Sequence, residues 1–207
     1  MKICERFSSI QGEGLMMGAP TYFIRTEGCN LSCEWCDTKY ALDGGVETPL
    51  PEILEMTAGF RNVCLTGGEP LLQADSCELL QMLRDAGKRV VLETNGSVDL
   101  TDIPNWNDLI ISMDIKCPSS GMSDRMMPSN IPLLTGKDQL KFVIGGDADL
   151  DYAIRFITER PISANIIFSP VGGTDLRTLA EAAIAGRLDV RVLPQLHKII
   201  WNRDRGV

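Results

Sequence analysis

Short apolar runs alternate with amphipathic segments along most of the chain, and this alternation limits the folds open to it. The apolar runs predict strands over residues 61–67, 88–96, 108–116, 139–146, 163–170 and 189–197. The amphipathic segments predict helices over residues 74–87, 149–159 and 175–186. Two further strand candidates, 2–14 and 20–28, open the chain. Strands that alternate with helices predict βαβ units and a mainly parallel sheet.

The region 97–138 lacks a helical pattern and is rich in proline and glycine. One helical layer is therefore expected to be missing there. A complete eightfold barrel typically needs about 250 residues, whereas this chain has 207. We therefore predict the α/β class, with an incomplete (β/α) barrel in one domain over 1–207. A doubly wound sheet is the alternative.

Polar or glycine-rich segments follow five of the predicted strands. They are TGGEP (66–70), ETNGS (93–97), SMDIK (112–116), FSPVGG (168–173) and PQLHK (194–198). In parallel α/β folds the carboxyl ends of the strands meet at one edge, where ligand sites form. The five segments therefore predict one large pocket.

The net charge of −8 argues against a nucleic-acid-binding surface, because phosphate binding needs clustered lysine and arginine. No stretch approaches the roughly 20 apolar residues of a membrane span, and the first residues lack the apolar core of a signal peptide. We therefore expect a cytoplasmic enzyme that acts on a small molecule. Cytoplasmic thiols stay reduced, so clustered cysteines there bind metal more often than they form disulfides.

Three cysteines, Cys29, Cys33 and Cys36, lie within eight residues of one another. Thiolates are soft ligands that suit iron–sulfur clusters or zinc. Three cysteines on a four-iron cluster would leave one iron open to an exogenous molecule. The alternative is a non-catalytic zinc or electron-transfer module, and a structural zinc would need a fourth ligand. The candidates for that ligand are Cys4, Cys64 and His197.

The spacing C-x-x-x-C-x-x-C, with Trp35 before the last cysteine, resembles the cluster loop of the radical S-adenosylmethionine (SAM) superfamily. The segment TGGEP resembles the glycine-rich motif of that superfamily. Five segments together are similar to the 7-carboxy-7-deazaguanine synthase family: FSSIQGEG (7–14), CDT (36–38), TGGEP, ETNGS and QLHK (195–198). The glycyl-radical-activating enzymes share the cysteine loop and remain the alternative within the superfamily.

This resemblance implies a lyase that contracts the ring of 6-carboxy-5,6,7,8-tetrahydropterin and expels ammonia. The product is a precursor of the 7-deazapurine tRNA bases queuosine or archaeosine. The resemblance also implies a 4Fe–4S cluster, SAM and Mg²⁺, an external one-electron donor such as flavodoxin or ferredoxin, and a homodimer. Reductive cleavage of SAM would give a 5′-deoxyadenosyl radical that takes the hydrogen at C6 of the pterin.

The resemblance also assigns residues of this chain to each ligand. The cluster ligands are Cys29, Cys33 and Cys36, and the magnesium ligand is Thr38, whose hydroxyl is the hard oxygen that Mg²⁺ prefers. The SAM contacts are Asp37, Gly68, Glu69, Asn95, Ser112, Asp114, Lys116, Ser169, Pro170, Val171 and Gly172. The substrate contacts are Ile10, Gln11, Gly12, Glu13, Arg25, Thr66, Glu93 and His197. Asp114 and Lys116 remain alternatives for the SAM ribose.

Arg25 lies on an otherwise apolar predicted strand. A guanidinium there favours a planar anion that can accept two hydrogen bonds. The substrate carboxylate is one candidate for this anion, and an ion pair with Glu27 or Glu93 is the other.

His197 is the only histidine, and it follows the last predicted strand. In the family that the motifs resemble, the chain ends soon after this position and its terminal carboxylate can touch substrate. Here ten residues follow His197. Contact between the Val207 carboxylate and the substrate is therefore left open.

Overall fold

The structure, a computed structural model, describes residues 1–202 and 204–206. The strands in these residues are β1 (Lys2–Ile10), β2 (Pro20–Thr26), β3 (Val46–Glu47), β4 (Asn62–Gly67), β5 (Arg89–Thr94), β6 (Leu109–Ile115), β7 (Gln139–Ile144), β8 (Asn165–Pro170) and β9 (Arg191–Val192). They form one open sheet in the order β3-β1-β2-β4-β5-β6-β7-β8-β9. Strand β1 pairs antiparallel with β2 and β3, and the pairs from β2 to β9 are parallel.

The helices are α1 (Leu50–Met56), α2 (Ser76–Asp85), α3 (Asp147–Thr158), α4 (Arg177–Gly186) and α5 (Leu196–Trp201). The sequence pattern does not predict α1 or β3, both of which are short. Helices α1 to α4 all contribute to one apolar core with the same face of the sheet. No helix in the described part of the chain is long and apolar enough to cross a membrane.

Side chains alternate between the two faces of each strand. In β4, Val63 and Leu65 belong to the core under the helices, whereas Cys64 packs in a separate small cluster with Phe23 and Val91. The helices therefore cover one face of an open sheet and leave the other face for the site. This arrangement confirms the α/β class and the incomplete barrel, and it differs from a doubly wound sheet, which carries helices on both faces.

The predicted shortage of helix between β5 and β7 is also confirmed. Residues 97–138, all of them described, contain β6 and three 3₁₀ turns but no α-helix. Proline begins two of these turns and interrupts the longest. The buried Asn130 amide replaces helical hydrogen bonds by donating to the Val98 carbonyl at 2.7 Å and accepting from the Leu100 amide at 3.1 Å.

The strand predicted over 189–197 is wrong beyond Val192. Strand β9 contains two residues, and Pro194 follows it closely. Proline has no amide proton for a ladder hydrogen bond, so pairing with β8 does not continue. His197 lies instead in the first turn of helix α5.

The core predicts a large penalty for Phe142→Ala. The Phe142 ring is fully buried, with the Phe156 and Phe168 ring centroids at 5.5 and 5.6 Å. Truncation would leave a cavity among these rings, so we expect the free energy of unfolding to fall by about 3–5 kcal/mol. Urea unfolding measures it, with the 78% exposed Ile184 replaced by alanine as control. Equal losses in the two variants would contradict this packing.

Candidate active site

The three cysteines of the loop after β2 are half-buried free thiols. The Cys29 sulfur accepts hydrogen bonds from the Leu31 amide at 3.5 Å and from the Asn95 side-chain amide at 3.6 Å. Burial raises the pKa of the Cys33 thiol, and the nearby Lys116 ammonium opposes this shift. The three thiols therefore belong to one short loop in which N–H donors already reach the Cys29 sulfur.

This donor set suits an iron–sulfur cluster. Thiolates are its usual ligands, and N–H donors to sulfur tune such clusters. By contrast, no three cysteine, histidine or acidic side chains among residues 1–202 and 204–206 converge closely enough to hold a single metal ion. The described side chains therefore do not build the alternative zinc site.

The glycine pair of TGGEP lies directly beneath the cysteine loop. A side chain at Gly68 would overlap the Gly28 carbonyl and the Cys29 side chain, and one at Gly67 would overlap Thr26. The end of β4 can therefore touch the cysteine loop only because Gly68 lacks a Cβ, and it can pack against the end of β2 only because Gly67 lacks one. The glycines determine where the loop sits.

Glu69, the acidic residue of TGGEP, is fully buried. Its carboxylate accepts hydrogen bonds from Thr94 Oγ1 at 3.0 Å, the Asn95 amide at 2.6 Å and the Leu71 amide at 3.0 Å. Burial outweighs these donors and raises the Glu69 pKa to about 6. In this structure Glu69 ties the ends of β4 and β5 together, while its contact with SAM stays a prediction.

A pair of charges lies at the end of β6. The Lys116 ammonium bonds Asp114 at 2.6 Å and lies 5.8 Å from the centre of the Trp35 ring in the cysteine loop. A second ammonium, from Lys141 on β7, approaches Asp114 at 3.3 Å. Both ammonium groups lower the Asp114 pKa, against the effect of burial. The end of β6 therefore presents an ionised carboxylate beside the cysteine loop.

The turn after β1 starts at the opposite edge of the sheet from these strand ends. Ile10 pairs with Pro20, the first residue of β2. The turn nevertheless reaches the site, because Gln11 Nε2 donates to Glu93 Oε1 at 3.2 Å. The Glu13 carboxylate likewise bonds the Lys141 ammonium.

The C-terminal segment covers this turn. The Leu196 amide donates to the Gly12 carbonyl at 2.8 Å, and Gln195 Nε2 donates to a Glu13 oxygen. A side chain at Gly12 would overlap the His197 imidazole, so these two predicted substrate contacts touch each other. Burial lowers the pKa of His197, which favours the neutral ring.

Thr38 and Asp37 lie at the outer end of the cysteine loop. Thr38 Oγ1 donates to Asp37 Oδ1 at 3.1 Å, and Asp37 Oδ2 accepts from Lys198 Nζ at 3.1 Å. Thr38 precedes a 3₁₀ turn but makes no side-chain capping bond to it. The hydroxyl is therefore not used as a helix cap, and helix α5 is attached to the loop through Lys198.

Arg25 forms an ion pair with neither of the two partners considered from sequence. Its Nε donates to Glu5 Oε2 at 3.1 Å, and the Tyr40 hydroxyl donates to the same oxygen at 2.9 Å. Glu27 instead pairs with Lys2. The Arg25 side chain is 16% exposed, so it is mostly buried.

Two further predicted contacts lie at the ends of β4 and β8. Thr66 is buried and stands opposite Arg25 in the strand register. Ser169 is also buried, and its hydroxyl donates to the Leu193 carbonyl at 2.9 Å. Beyond it the chain turns outward through Pro170, the partly exposed Val171 and Gly172.

Ser112, the remaining predicted residue, contacts Gln139 on β7, which the sequence analysis did not identify. Its hydroxyl accepts from Gln139 Nε2 at 2.6 Å, and Gln139 Oε1 accepts from the Leu15 amide at 2.7 Å. Gln139 and Lys141 are both on β7, the run QLKFVI, and both are buried. Polar residues in such an apolar run were the signal that could have identified them.

Comparison with known proteins agrees with this geometry. The model of the radical SAM superfamily matches residues 23–126. A 7-carboxy-7-deazaguanine synthase of Thermoplasma acidophilum is 42% identical, with both chains fully covered. One from Methanospirillum hungatei is 47% identical over 97% of this chain and 85% of its own length.

A solved structure shares the fold. The crystal structure of QueE from Escherichia coli superposes with a TM-score of 0.75 at 21% identity, over 92% of each chain. The chain is therefore a member of the radical SAM superfamily, whose enzymes use a 4Fe–4S cluster and SAM. Within that superfamily it belongs to the 7-carboxy-7-deazaguanine synthase family. This membership excludes the zinc-module and glycyl-radical-activating alternatives.

Glu69 predicts a measurable pH dependence of stability. Its folded-state pKa of about 6 lies above the ordinary value of 4.5. Its stabilising contribution is therefore present below pH 4.5 and lost as pH rises through about 6. We expect the unfolding free energy of the wild type, relative to Glu69→Gln, to fall by about 2 kcal/mol between pH 4 and 7.

Urea unfolding of the SAM-free protein at several pH values measures this difference. The exposed Glu78 on α2, replaced by glutamine, is the control and should show no such slope. A wild-type-to-Glu69→Gln difference that stays constant with pH would refute the raised pKa.

Proposed function

We propose that this chain converts 6-carboxy-5,6,7,8-tetrahydropterin to 7-carboxy-7-deazaguanine, with loss of ammonia, as a radical SAM lyase. Family membership supports the reaction. The observation that carries the proposal is that one C-terminal segment contacts both the cysteine loop and the turn after β1. In that segment Lys198 bonds Asp37, and Gln195 bonds Glu13.

Cys29, Cys33 and Cys36 are the proposed cluster ligands. Their position on one short half-buried loop and the N–H donors at Cys29 support this role. When bound, the cluster and SAM supply a carbon-centred radical that abstracts hydrogen from the substrate. The protein holds these partners in place and excludes water from them.

The proposed SAM contacts follow the strand ends around the loop. Lys116 and Asp114 lie beside Trp35, and Asn95 donates to the Cys29 sulfur, so these groups surround the space next to the cluster. The other members of the set are Asp37, Gly68, Glu69, Ser112, Ser169, Pro170, Val171 and Gly172.

The proposed pterin contacts lie on the face of the sheet that the helices leave uncovered, which we call the concave face. Glu13 and Glu93 carry carboxylates that can accept from the N–H groups of the heterocycle, and Arg25 offers a guanidinium to its carboxylate. The neutral His197 ring packs on Gly12 and forms one wall. The other members are Ile10, Gln11 and Thr66.

Thr38 is the proposed magnesium ligand. Its hydroxyl and the Asp37 carboxylate are adjacent hard oxygens near the cysteine loop, and Mg²⁺ keeps several waters, so few protein ligands are needed. The proposal also comprises a single domain, a homodimer, a cytoplasmic location, and flavodoxin or ferredoxin as electron donor. The product would enter queuosine or archaeosine synthesis before any contact with tRNA, and the net charge of −8 agrees with that order.

Anaerobic reconstitution tests the proposal directly. With iron and sulfide the protein should turn brown, and with SAM, reductant, Mg²⁺ and the carboxypterin it should form 7-carboxy-7-deazaguanine. Cys33→Ala should abolish SAM cleavage, whereas Cys77→Ala, at an exposed thiol away from the loop, should not. SAM cleavage without any deazaguanine product would defeat the specific assignment.

Arg25→Ala separates substrate binding from cofactor chemistry. Losing a charge-assisted contact to the substrate carboxylate should raise KM for the pterin about 10- to 100-fold. Binding of SAM, measured by titration of the reconstituted protein, should be little changed. Arg84→Ala, at an exposed arginine on α2, is the control. An unchanged KM in Arg25→Ala would remove Arg25 from the substrate site.

A further inference from the structure

Four alternating charges form a buried chain across the concave face of the sheet. Lys141 on β7 is 8% exposed, and its ammonium bonds Glu13 from the turn after β1 and lies 3.3 Å from Asp114 on β6. The other Asp114 oxygen bonds Lys116 at 2.6 Å. Lys141 is the only one of the four residues to which the family motifs assign no role.

The fold does not require a charge at this position. Leu140 and Phe142, on either side of Lys141, point into the core under the helices, so Lys141 points into the site. Replacing a buried ion pair by apolar side chains of similar volume is often neutral or stabilising. A buried lysine in the middle of a strand therefore needs an explanation other than stability.

The position of Lys141 supplies that explanation. Its ammonium is shared between Glu13, on the turn proposed to bind the pterin, and Asp114, at the strand end proposed to bind SAM. These two segments are about a hundred residues apart in sequence, and Gln139 is a second β7 side chain that joins them. The Glu13 and Asp114 carboxylates therefore both contact the Lys141 ammonium.

The electrostatics show what removal of this ammonium would do. Burial and the nearby Asp114 charge raise the pKa of Glu13, and Lys141 together with the hydrogen bond from Gln195 more than offsets both. Without Lys141 the two buried carboxylates would repel each other, and one would take up a proton. The pKa of Lys141 itself lies well above its ordinary value, so it stays protonated and does not transfer a proton. The other charged or titratable groups around Glu13, Asp114 and Lys141 include Lys116, Glu93, Asp37 and His197.

We propose that Lys141 is a positioning residue that holds Glu13 and Asp114 ionised and aligned, so that pterin and SAM are bound in register. The inference rests on the proposed function. It predicts that loss of the Lys141 charge changes the pH dependence of substrate binding as well as its strength.

Lys141→Met keeps the length and removes the charge. We expect kcat/KM to fall about 100-fold, as for a misplaced substrate. We also expect the acid limb of its pH profile to move to higher pH, because Glu13 is protonated more readily. Lys141→Arg keeps the charge and should leave the acid limb in the wild-type position, even if kcat/KM is lower.

Lys137→Met is the matched control. Lys137 precedes β7, and its ammonium bonds the buried Asp138 at 2.9 Å and the Leu109 carbonyl at 2.7 Å, outside the site. This variant also removes an ammonium from a buried carboxylate, so it should lower stability without moving the acid limb. Thermal unfolding of all variants separates a loss of stability from a movement of the acid limb.

Binding of pterin-6-carboxylate, an oxidised analogue followed by its fluorescence, gives a readout without turnover. We expect its affinity for Lys141→Met to weaken as pH falls, over a range where the wild type and Lys141→Arg do not change. The same pH dependence in wild type and Lys141→Met would overturn the inference. A wild type that neither binds this probe nor forms deazaguanine would instead refute the proposed function, and the inference with it.

Discussion

The close packing of Gly68 against the cysteine loop is the contact on which the rest of the site depends. Gly68 lies against Gly28 and Cys29 with no room for a side chain. Backbone hydrogen bonds from the Gly68 amide to Thr26 at 3.3 Å and from the Glu69 amide to Gly28 at 2.8 Å fix the contact. Because the loop lies on the strand ends, its thiols can meet groups from β5 and β6.

The C-terminal segment provides the second constraint. The turn after β1 begins at the amino ends of the parallel strands, opposite to the carboxyl ends that carry the site. It reaches the site only if it is held across the concave face. The Leu196 amide and the Gln195 side chain hold it there, while Lys198 holds the same segment to Asp37. The elements proposed to bind substrate and cofactor therefore share one support. The contact between Val207 and the substrate, which the sequence left open, falls outside the described residues.

Local sequence patterns predicted the parts of the fold that depend on local chemistry. Periodicity predicted most strands and the missing helix between β5 and β7, and the polar strand ends identified residues that the structure brings close to the cysteine loop. The single large pocket stays a prediction. The same patterns could not predict partners set by strand register or by distant packing. Glu5 meets Arg25 because the antiparallel register of β1 and β2 puts them opposite each other. His197 lies on a helix because Pro194 ends β9 early.

Charge shows most clearly why composition alone could not describe the site. The chain carries eight excess negative charges, yet three pairs of opposite charges lie on the concave face: Arg25 with Glu5, Lys141 with Glu13, and Lys116 with Asp114. Each pair was largely desolvated when the chain folded, so a ligand that meets these groups does not have to dehydrate them first. A bound anion would perturb these ion pairs, and its affinity depends on how the pairs rearrange rather than on the net charge of the protein.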